Sequence, residues 1–289
     1  MKTAAPVLHA RQWEILRAGR RFVRDVLRYA LLSLIALLCV FPFWWTLVVA
    51  VSGTGNLFEF PPSFWPQDVS LANFFEVFRV IPILAFYKNS LLITLATVAG
   101  KLLICSLAAY PLSRMQFRGS KLVLGVILVT MILPSEVNFL VNFISLTRLG
   151  LVNTYTGVVL PNLVTAVAIL LLKQAFDEVP QDLLDAARVD GASEWTIFYR
   201  IVLPLITPWL ATVGILTAVE AWNDYIWPSI VISKPDDFPL AAGVLYLRGT
   251  YGSSTRVIAA GTILTVAPIL AAFLFTQRFF MRGMDGAVK

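Results

Sequence analysis

Long apolar runs separated by short polar stretches dominate the chain. Six of them are long enough to cross about 30 Å of hydrocarbon, which takes about 20 helical residues. They are Tyr29–Val51, Ser90–Leu112, Leu122–Leu146, Tyr155–Leu172, Leu205–Ile230 and Val257–Thr276. Because these runs are continuously apolar and lack the two-residue alternation of a membrane-spanning strand, they predict helices. The pattern therefore predicts an all-α integral membrane protein with six transmembrane helices.

Composition supports a protein that resides in a lipid bilayer. Hydrophobic residues make up 58% of the chain and charged residues 14%, whereas an ordinary soluble domain is about half apolar and about a quarter charged. The net charge of +6 raises the possibility of nucleic-acid binding. However, the basic residues lie at the ends of apolar runs and not among aromatics on one soluble face. We therefore expect no nucleic-acid partner.

The lysines and arginines predict the orientation of the chain. Sixteen of them fall on one side of the predicted spans and six on the other, with Lys101 inside a span. Because basic loop residues favour the cytoplasmic side, both termini and the polar loop at 177–208 are predicted to be cytoplasmic. Residues 1–28 would form a basic cytoplasmic segment, either a helix along the inner leaflet or a plain tail, and residues 29–289 the transmembrane domain.

Several polar residues interrupt the third predicted span. Glu136, Asn138 and Asn142 lie there, close after Pro134. A charge at mid-bilayer costs about 2.5–3.5 kcal/mol, so such a group usually faces a partner helix or a wet cavity. We interpret Glu136, Asn138 and Asn142 as candidates for a solute pathway, although structural pairing explains Glu136 equally well. Lys101 would either snorkel or pair with Glu136.

Other polar positions give little sign of catalysis or metal binding. Cys39 and Cys105 fall within apolar runs and His9 in the N-terminal tail, so there is no disulfide framework and no Cys/His metal spacing. Glu220 and Asp224 are four residues apart on one helical face, where they mark either a polar strip or the approach to the outer surface. An intramembrane enzyme is therefore disfavoured.

The polar loop at 177–208 is predicted to contain two short helices separated by a glycine. Pro180 and Asp182 suit a first turn, Gly191 can take the left-handed conformation that ends a helix, and Ser193 can cap the next one. Apolar residues recur there at spacings of three and four: Trp195, Phe198, Ile201, Val202 and Leu205. Such a helix pair suits a groove on a soluble partner, and it also suits packing on the chain's own helices.

The stretch DAARVDGASEWTIFYRIVLP resembles a family motif. It is similar to the cytoplasmic loop of permease subunits of ATP-binding-cassette (ABC) importers, written Glu-Ala-Ala, three residues, Gly, nine residues, Ile-x-Leu-Pro. The matching positions are Ala186, Ala187, Gly191, Ile201, Leu203 and Pro204. Asp185 stands where the family usually has Glu, which keeps the charge but shortens the side chain.

The resemblance extends over about 200 residues. It includes KNSL (88–91), AAYPLSRMQFRG (108–119), LPSEV (133–137), RLGLVNTYTGVVLP (148–161), AWNDYIWP (221–228) and QRFFMRGMDGAVK (277–289). Together these segments resemble the smaller permease subunit of maltose-type carbohydrate importers, which implies the type I ABC importer permease fold. The residues that this resemblance assigns to ATPase docking are Asp185, Ala186, Ala187, Asp190, Gly191, Ala192, Leu203 and Pro204.

The resemblance implies that the chain moves a sugar or sugar-like solute inward across the cytoplasmic (inner) membrane of a prokaryote. Expected partners are a second, larger permease subunit, two ABC ATPase subunits that bind ATP and Mg²⁺, and an extracytoplasmic solute-binding protein. The chain itself is expected to hold no cofactor, because Gly100-Lys101 ends like a phosphate loop but Leu95 stands where that loop needs a glycine.

Two alternatives remain open. One is a permease for glycerol-phosphate or another polyol. The other is a secondary transporter, which would show two pseudo-symmetric halves, and the two sets of three runs show no convincing repeat.

Overall fold

The computed structural model describes residues 5–54, 64–66, 68–115, 117–132, 134, 137–250 and 254–286, with the backbone alone for residues 5–21 and most residues beyond 271. Its helices are α1 (Ala5–Val51), α2 (Ala72–Val80), α3 (Ile83–Arg114), α4 (Ser120–Thr130), α5 (Asn138–Leu149), α6 (Tyr155–Val159), α7 (Ala166–Asp177), α8 (Gln181–Val189), α9 (Glu194–Thr196), α10 (Leu203–Leu205), α11 (Thr207–Asn223), α12 (Ile226–Val231), α13 (Leu240–Thr250) and α14 (Thr255–Gly286). The described residues also include 3₁₀ turns at Leu160–Asn162 and Pro235–Asp237 and a π-helical segment at Ile197–Val202. The prediction of an all-α protein is confirmed.

Two described helices are long and apolar enough to cross a membrane alone, namely α3 and the Phe22–Val51 part of α1. Two bent pairs pass the same test when each pair is taken together: Tyr155–Asn162 with Ala166–Asp177, bent by 53°, and Glu194–Leu205 with Thr207–Asn223, bent by 75°. The described residues therefore contain two to four candidate spans by length and composition, fewer than the six predicted.

Three of the predicted spans are not single helices: Tyr155–Leu172 is the bent pair of α6 and α7, and two others are also divided. In place of Leu122–Leu146 the structure has α4, which ends at Thr130, and α5, which begins at Asn138. Pro134 lies between them, and a proline within a helix removes a backbone donor and clashes with the preceding turn. Similarly, Leu205–Ile230 is divided among α10, α11 and α12.

The chain divides into two compact units, residues 1–73 and 74–289. In the first unit, α1 continues without a break past residue 28, where a segment boundary was predicted. Beyond α1, Ser52 pairs with Val69 in an antiparallel bridge. The Asn73 amide donates to the carbonyls of Ala50 and Ser52 at 2.9 and 3.0 Å. These bonds hold the following segment against the end of α1.

In the second unit, α3 is the central helix and packs most extensively against α7 and α11. Every fourth residue along one side of it is buried: Ile93, Thr97, Lys101, Cys105 and Ala109. Residues four apart share a helix face, so this stripe faces the neighbouring helices. It contains one charged residue, Lys101, midway along the packed face.

Candidate functional site

The first half of the loop at 177–208 folds as the sequence predicts. The helix α8 begins after Pro180 and has Asp182 in its first turn. At its end Gly191 adopts φ +82°, the left-handed conformation that favours glycine. The Gly191 N–H donates to the Arg188 carbonyl at 3.0 Å, and the Ala192 N–H to the Ala187 carbonyl at 3.0 Å. The glycine therefore terminates α8 and turns the chain into the second half.

The second half begins as predicted and then departs from the prediction. The Ser193 hydroxyl accepts from the Thr196 N–H at 3.2 Å and caps α9. The next six residues form π-helix, whose wider turn shifts the side-chain register. In this segment Phe198 and Val202 are buried, whereas Trp195 before it is 70% exposed and Leu205 after it is 52% exposed. The predicted apolar stripe is thus divided between the interior and the surface.

Arg188 joins the two halves. Its guanidinium donates to Asp185 Oδ1 at 2.7 Å within α8 and to Glu194 Oε1 at 2.9 Å across the glycine turn. The hydroxyl of Tyr110, on α3, donates to Glu194 Oε2 at 3.0 Å. Hydrogen bonds to Glu194 and Asp185 raise the pKa of the Arg188 guanidinium above its ordinary value. Both halves and α3 are therefore tied together through a charged group.

A second junction fixes the start of α8 to the end of α3. The Arg114 guanidinium donates to the carbonyls of Phe176 and Val179 and to Gln181 Oε1 at 3.2 Å. Residues of α3, α7, α8 and the π-helical segment also pack together in one continuous apolar cluster. The loop is therefore packed on the helices from which it emerges, so its displacement would be transmitted to them.

The predicted docking residues differ in burial. Ala187 is only 9% exposed and belongs to the apolar cluster. Ala192 and Leu203 are half-buried against the same cluster, and the exposed members are Asp185, Ala186, Asp190, Gly191 and Pro204. Sequence reasoning did not assign to the docking site three exposed apolar side chains nearby: Leu183, Val189 and Tyr199. Val189 is 87% exposed. We call these three, with Trp195, the loop surface.

A polar cleft lies between α3, α11 and the turn after α6. Its volume is about 140 Å³, and its lining residues are Thr97, Lys101, Asn162, Thr217, Glu220, Ala221 and Asp224. Lys101 Nζ lies 3.4 Å from Glu220 Oε2. The lysine side chain is 4% exposed, whereas that of Glu220 is 69% exposed. The cleft thus has a buried cation at its base and a carboxylate at its open side.

Asn138 and Asn142, two of the three predicted pathway residues, are not among the described residues that line this cleft. Glu136 lies outside the described residues. Asn138 is exposed and Asn142 half-buried near the start of α5. Lys101, which was expected to snorkel or pair with Glu136, has its ion pair with Glu220. The sequence singled out Lys101 and the Glu220/Asp224 spacing but did not bring them together, and Thr97, Asn162 and Thr217 gave no distinguishing signal.

Comparison with known proteins gives consistent relationships. Residues 101–286 match the profile of a family described as "binding-protein-dependent transport system inner membrane component". The chain is 36% identical over 228 residues to the arabinooligosaccharides transport system permease protein AraQ of Halalkalibacterium halodurans, covering 78% of this chain and 82% of the relative. It is 32% identical to the lactose transport system permease protein LacG of Rhizobium radiobacter, covering 93% and 98%.

A third relative and a solved structure extend these similarities. The sn-glycerol-3-phosphate transport system permease protein UgpE of Yersinia pestis is 30% identical, covering 92% of this chain and 97% of the relative. The fold matches a chain of a bacterial ABC transporter involved in the import of the acidic polysaccharide alginate with a TM-score of 0.78, at 23% identity. That match covers 91% of this chain and 98% of the other.

Proposed function

Because this chain belongs to the family of binding-protein-dependent transport system inner membrane components, we propose that its loop at 177–208 couples an ATPase to a solute pathway. The chain is the permease component of an ABC importer and is not itself an ATPase. It is a multi-pass protein of the inner membrane and works in a complex with an ATPase and a binding protein.

The proposed topology has six spans with both termini in the cytoplasm. Four come from the two continuous spans and the two bent pairs. The α4/α5 region and the apolar part of α14, Thr255–Ala271, would supply the others. Support comes from the excess of lysine and arginine on one side of the chain and from α4, which has no buried residues and therefore needs lipid or another subunit around it.

The docking proposal is based on the two sides of the loop, one packed on the helices and the other exposed. Its inner side is continuous with the cluster around α3 and α7, while the loop surface remains exposed. Large apolar side chains exposed on a loop that emerges from the membrane domain are candidates for contact with a partner. Ala187, Leu203 and Arg188 would hold the two halves in a fixed geometry, and the loop surface with Asp185, Ala186 and Asp190 would contact the ATPase.

The proposed assembly has two different permeases, of which this chain is the smaller, together with two ATPase subunits and an extracytoplasmic solute-binding protein. ATP and Mg²⁺ would bind to the ATPase subunits. When these close around nucleotide, a rigid loop would transmit the displacement into α3 and α7 through packed side chains.

The proposed solute is a sugar or a short oligosaccharide. Relatives named for arabinooligosaccharides and lactose, at 36% and 32% identity, support this class. The relative named for sn-glycerol-3-phosphate, at 30% identity, keeps a phosphorylated polyol as the second candidate.

Cross-linking tests the docking proposal. In a variant lacking the exposed Cys39, Val189→Cys places a thiol on the loop surface. Leu149→Cys is the matched control, because it is also the last residue of its helix and is 64% exposed. With a short cross-linker that has one thiol-reactive and one photoreactive end, Val189→Cys should cross-link to the ATPase and Leu149→Cys should not. Equal cross-linking at both positions, or cross-linking at Leu149→Cys alone, would show that the loop does not dock there.

A further inference from the structure

Resting on the proposed function, we propose that the polar cleft around Lys101, Glu220 and Asp224 is a solute-binding station that admits uncharged polyhydroxy solutes and rejects phosphorylated ones. The family match and the relatives' names leave both solute classes open. The charges of the cleft distinguish them.

The ion pair at the cleft lies far from the loop along both helices that carry it. Lys101 lies thirteen residues before Arg114, and Glu220 lies thirteen residues after Thr207. At 1.5 Å per helical residue, each is about 20 Å from the end of its helix that lies next to the loop. In a hydrocarbon core about 30 Å thick, the pair would lie well inside the membrane, where charged side chains are expected to face a cavity or a partner.

The local backbone also indicates a cavity. The bent pair α6/α7 breaks between Asn162 and Ala166, next to the cleft that Asn162 lines. Non-helical backbone at membrane depth is tolerated where it is buried in protein or lines a water-filled cavity. Broken helices at the midplane are a common way in which transporters build a solute site.

The cleft offers the donors and acceptors that a sugar needs. Each sugar hydroxyl both donates and accepts hydrogen bonds. The cleft supplies carboxylate acceptors on Glu220 and Asp224, an ammonium donor on Lys101, and an amide on Asn162 that does both. Its volume of about 140 Å³ is several times the roughly 10–15 Å³ that one water needs, so part of a sugar can enter.

The charge of the cleft favours an uncharged solute. Among the described lining residues one lysine faces two carboxylates, which gives them a formal charge of −1. Lys101 is already engaged with Glu220 at 3.4 Å, so a phosphate entering the cleft would displace that carboxylate while being repelled by it and by Asp224. Hydroxyl groups meet no such repulsion.

The test uses a thiol placed in the cleft without changing its charge. In the assembled importer without nucleotide, and with both native cysteines replaced by alanine, Ala221→Cys lines the cleft. Ala211→Cys, an exposed position on the same helix, is the control. The rate of modification by a small aqueous thiol reagent is measured with lactose, L-arabinose or sn-glycerol 3-phosphate.

We expect an uncharged sugar present at a few times its dissociation constant to slow modification of Ala221→Cys about fivefold, with no effect on Ala211→Cys. Glycerol 3-phosphate should not protect. When Glu220→Gln and Asp224→Asn are combined with Ala221→Cys, the formal charge of the cleft becomes +1 while the side-chain shapes are kept. Glycerol 3-phosphate should then slow the modification of the cysteine.

Two results would overturn the proposal. The first is protection of the unaltered cleft by glycerol 3-phosphate as strong as that by sugar. The second is no protection by any of the three solutes in an importer that still shows ATP-driven uptake. The second result would leave the proposed function intact, whereas loss of the ATPase cross-link at Val189→Cys would count against the proposed function alone.

Discussion

Arg188 is the residue on which the geometry of the loop depends. It contacts one carboxylate in each half, and the Glu194 carboxylate in turn accepts from Tyr110. The sequence placed Arg188 inside the motif but gave no sign of this bridge, because the bridge forms only after the turn at Gly191 brings α8 and α9 together. Local capping signals predict the turn, and the contacts across it are tertiary.

Replacing Arg188 with glutamine should uncouple the two halves. In a double-mutant cycle with Glu194→Gln, the coupling measured by thermal unfolding of the purified importer should be about 1 kcal/mol, typical of a partly exposed charged hydrogen bond. ATP-driven uptake should fall in Arg188→Gln.

Lys173→Gln is the matched control for Arg188→Gln. It removes the ion pair between Lys173 Nζ and Asp177 Oδ2, which are 2.6 Å apart and both on α7. Uptake should therefore persist. If both variants lose uptake equally, the bridge across the turn has no special part in coupling.

At the scale of elements, the apolar runs predict where helices occur better than where they break. The break between α4 and α5 coincides with Pro134, and the bend before α11 lies between Pro204 and Pro208. The π-helical segment and α13 were not predicted. A wider helical turn leaves no periodic signal over six residues. The helix α13 lies outside the predicted spans and packs against α3 and α14, so tertiary contacts define it.

The packing of α13 on α3 depends on a glycine. A β-carbon added at Gly243 would lie 2.2 Å from the ring of Phe86, which is fully buried. Gly243→Ala should therefore lower the free energy of unfolding by about 1–3 kcal/mol, as overpacked cores do.

Gly249→Ala on the same helix is the control, since its β-carbon would have no atom within 4 Å. That variant should be neutral or gain up to about 1 kcal/mol. Thermal unfolding of both purified variants checks the pair. An unchanged midpoint for Gly243→Ala would show that the close approach to Phe86 is absent.

At the scale of the whole molecule, much apolar surface remains exposed. Leu31, Leu122 and Leu140 are between 58% and 73% exposed, as expected for helices that need lipid or other subunits around them. The sequence predicted the membrane class from composition, the permease family from spaced motifs, and the turn at the loop from capping residues. It did not predict the polar cleft, because Lys101, Asn162 and Glu220 come from three separate segments that only the fold brings together.

Substitution at the Gly191 turn is the most direct test of coupling through the loop. Gly191 and Gly150 both have positive φ, +82° and +67°, and a β-carbon at either would meet no atom within 4 Å. A valine at either position therefore brings backbone strain without a clash, because β-branched residues rarely adopt positive φ. Only Gly191 lies in the loop.

The decisive measurement is the amount of sugar taken up per ATP hydrolysed by the complete importer in proteoliposomes with its binding protein. If the loop couples hydrolysis to transport, Gly191→Val should lower this ratio by roughly tenfold, as expected when about 1.4 kcal/mol of strain disfavours the coupled geometry. Gly150→Val should keep the ratio of the unaltered importer. Equal ratios for the two variants would contradict coupling through the loop at 177–208.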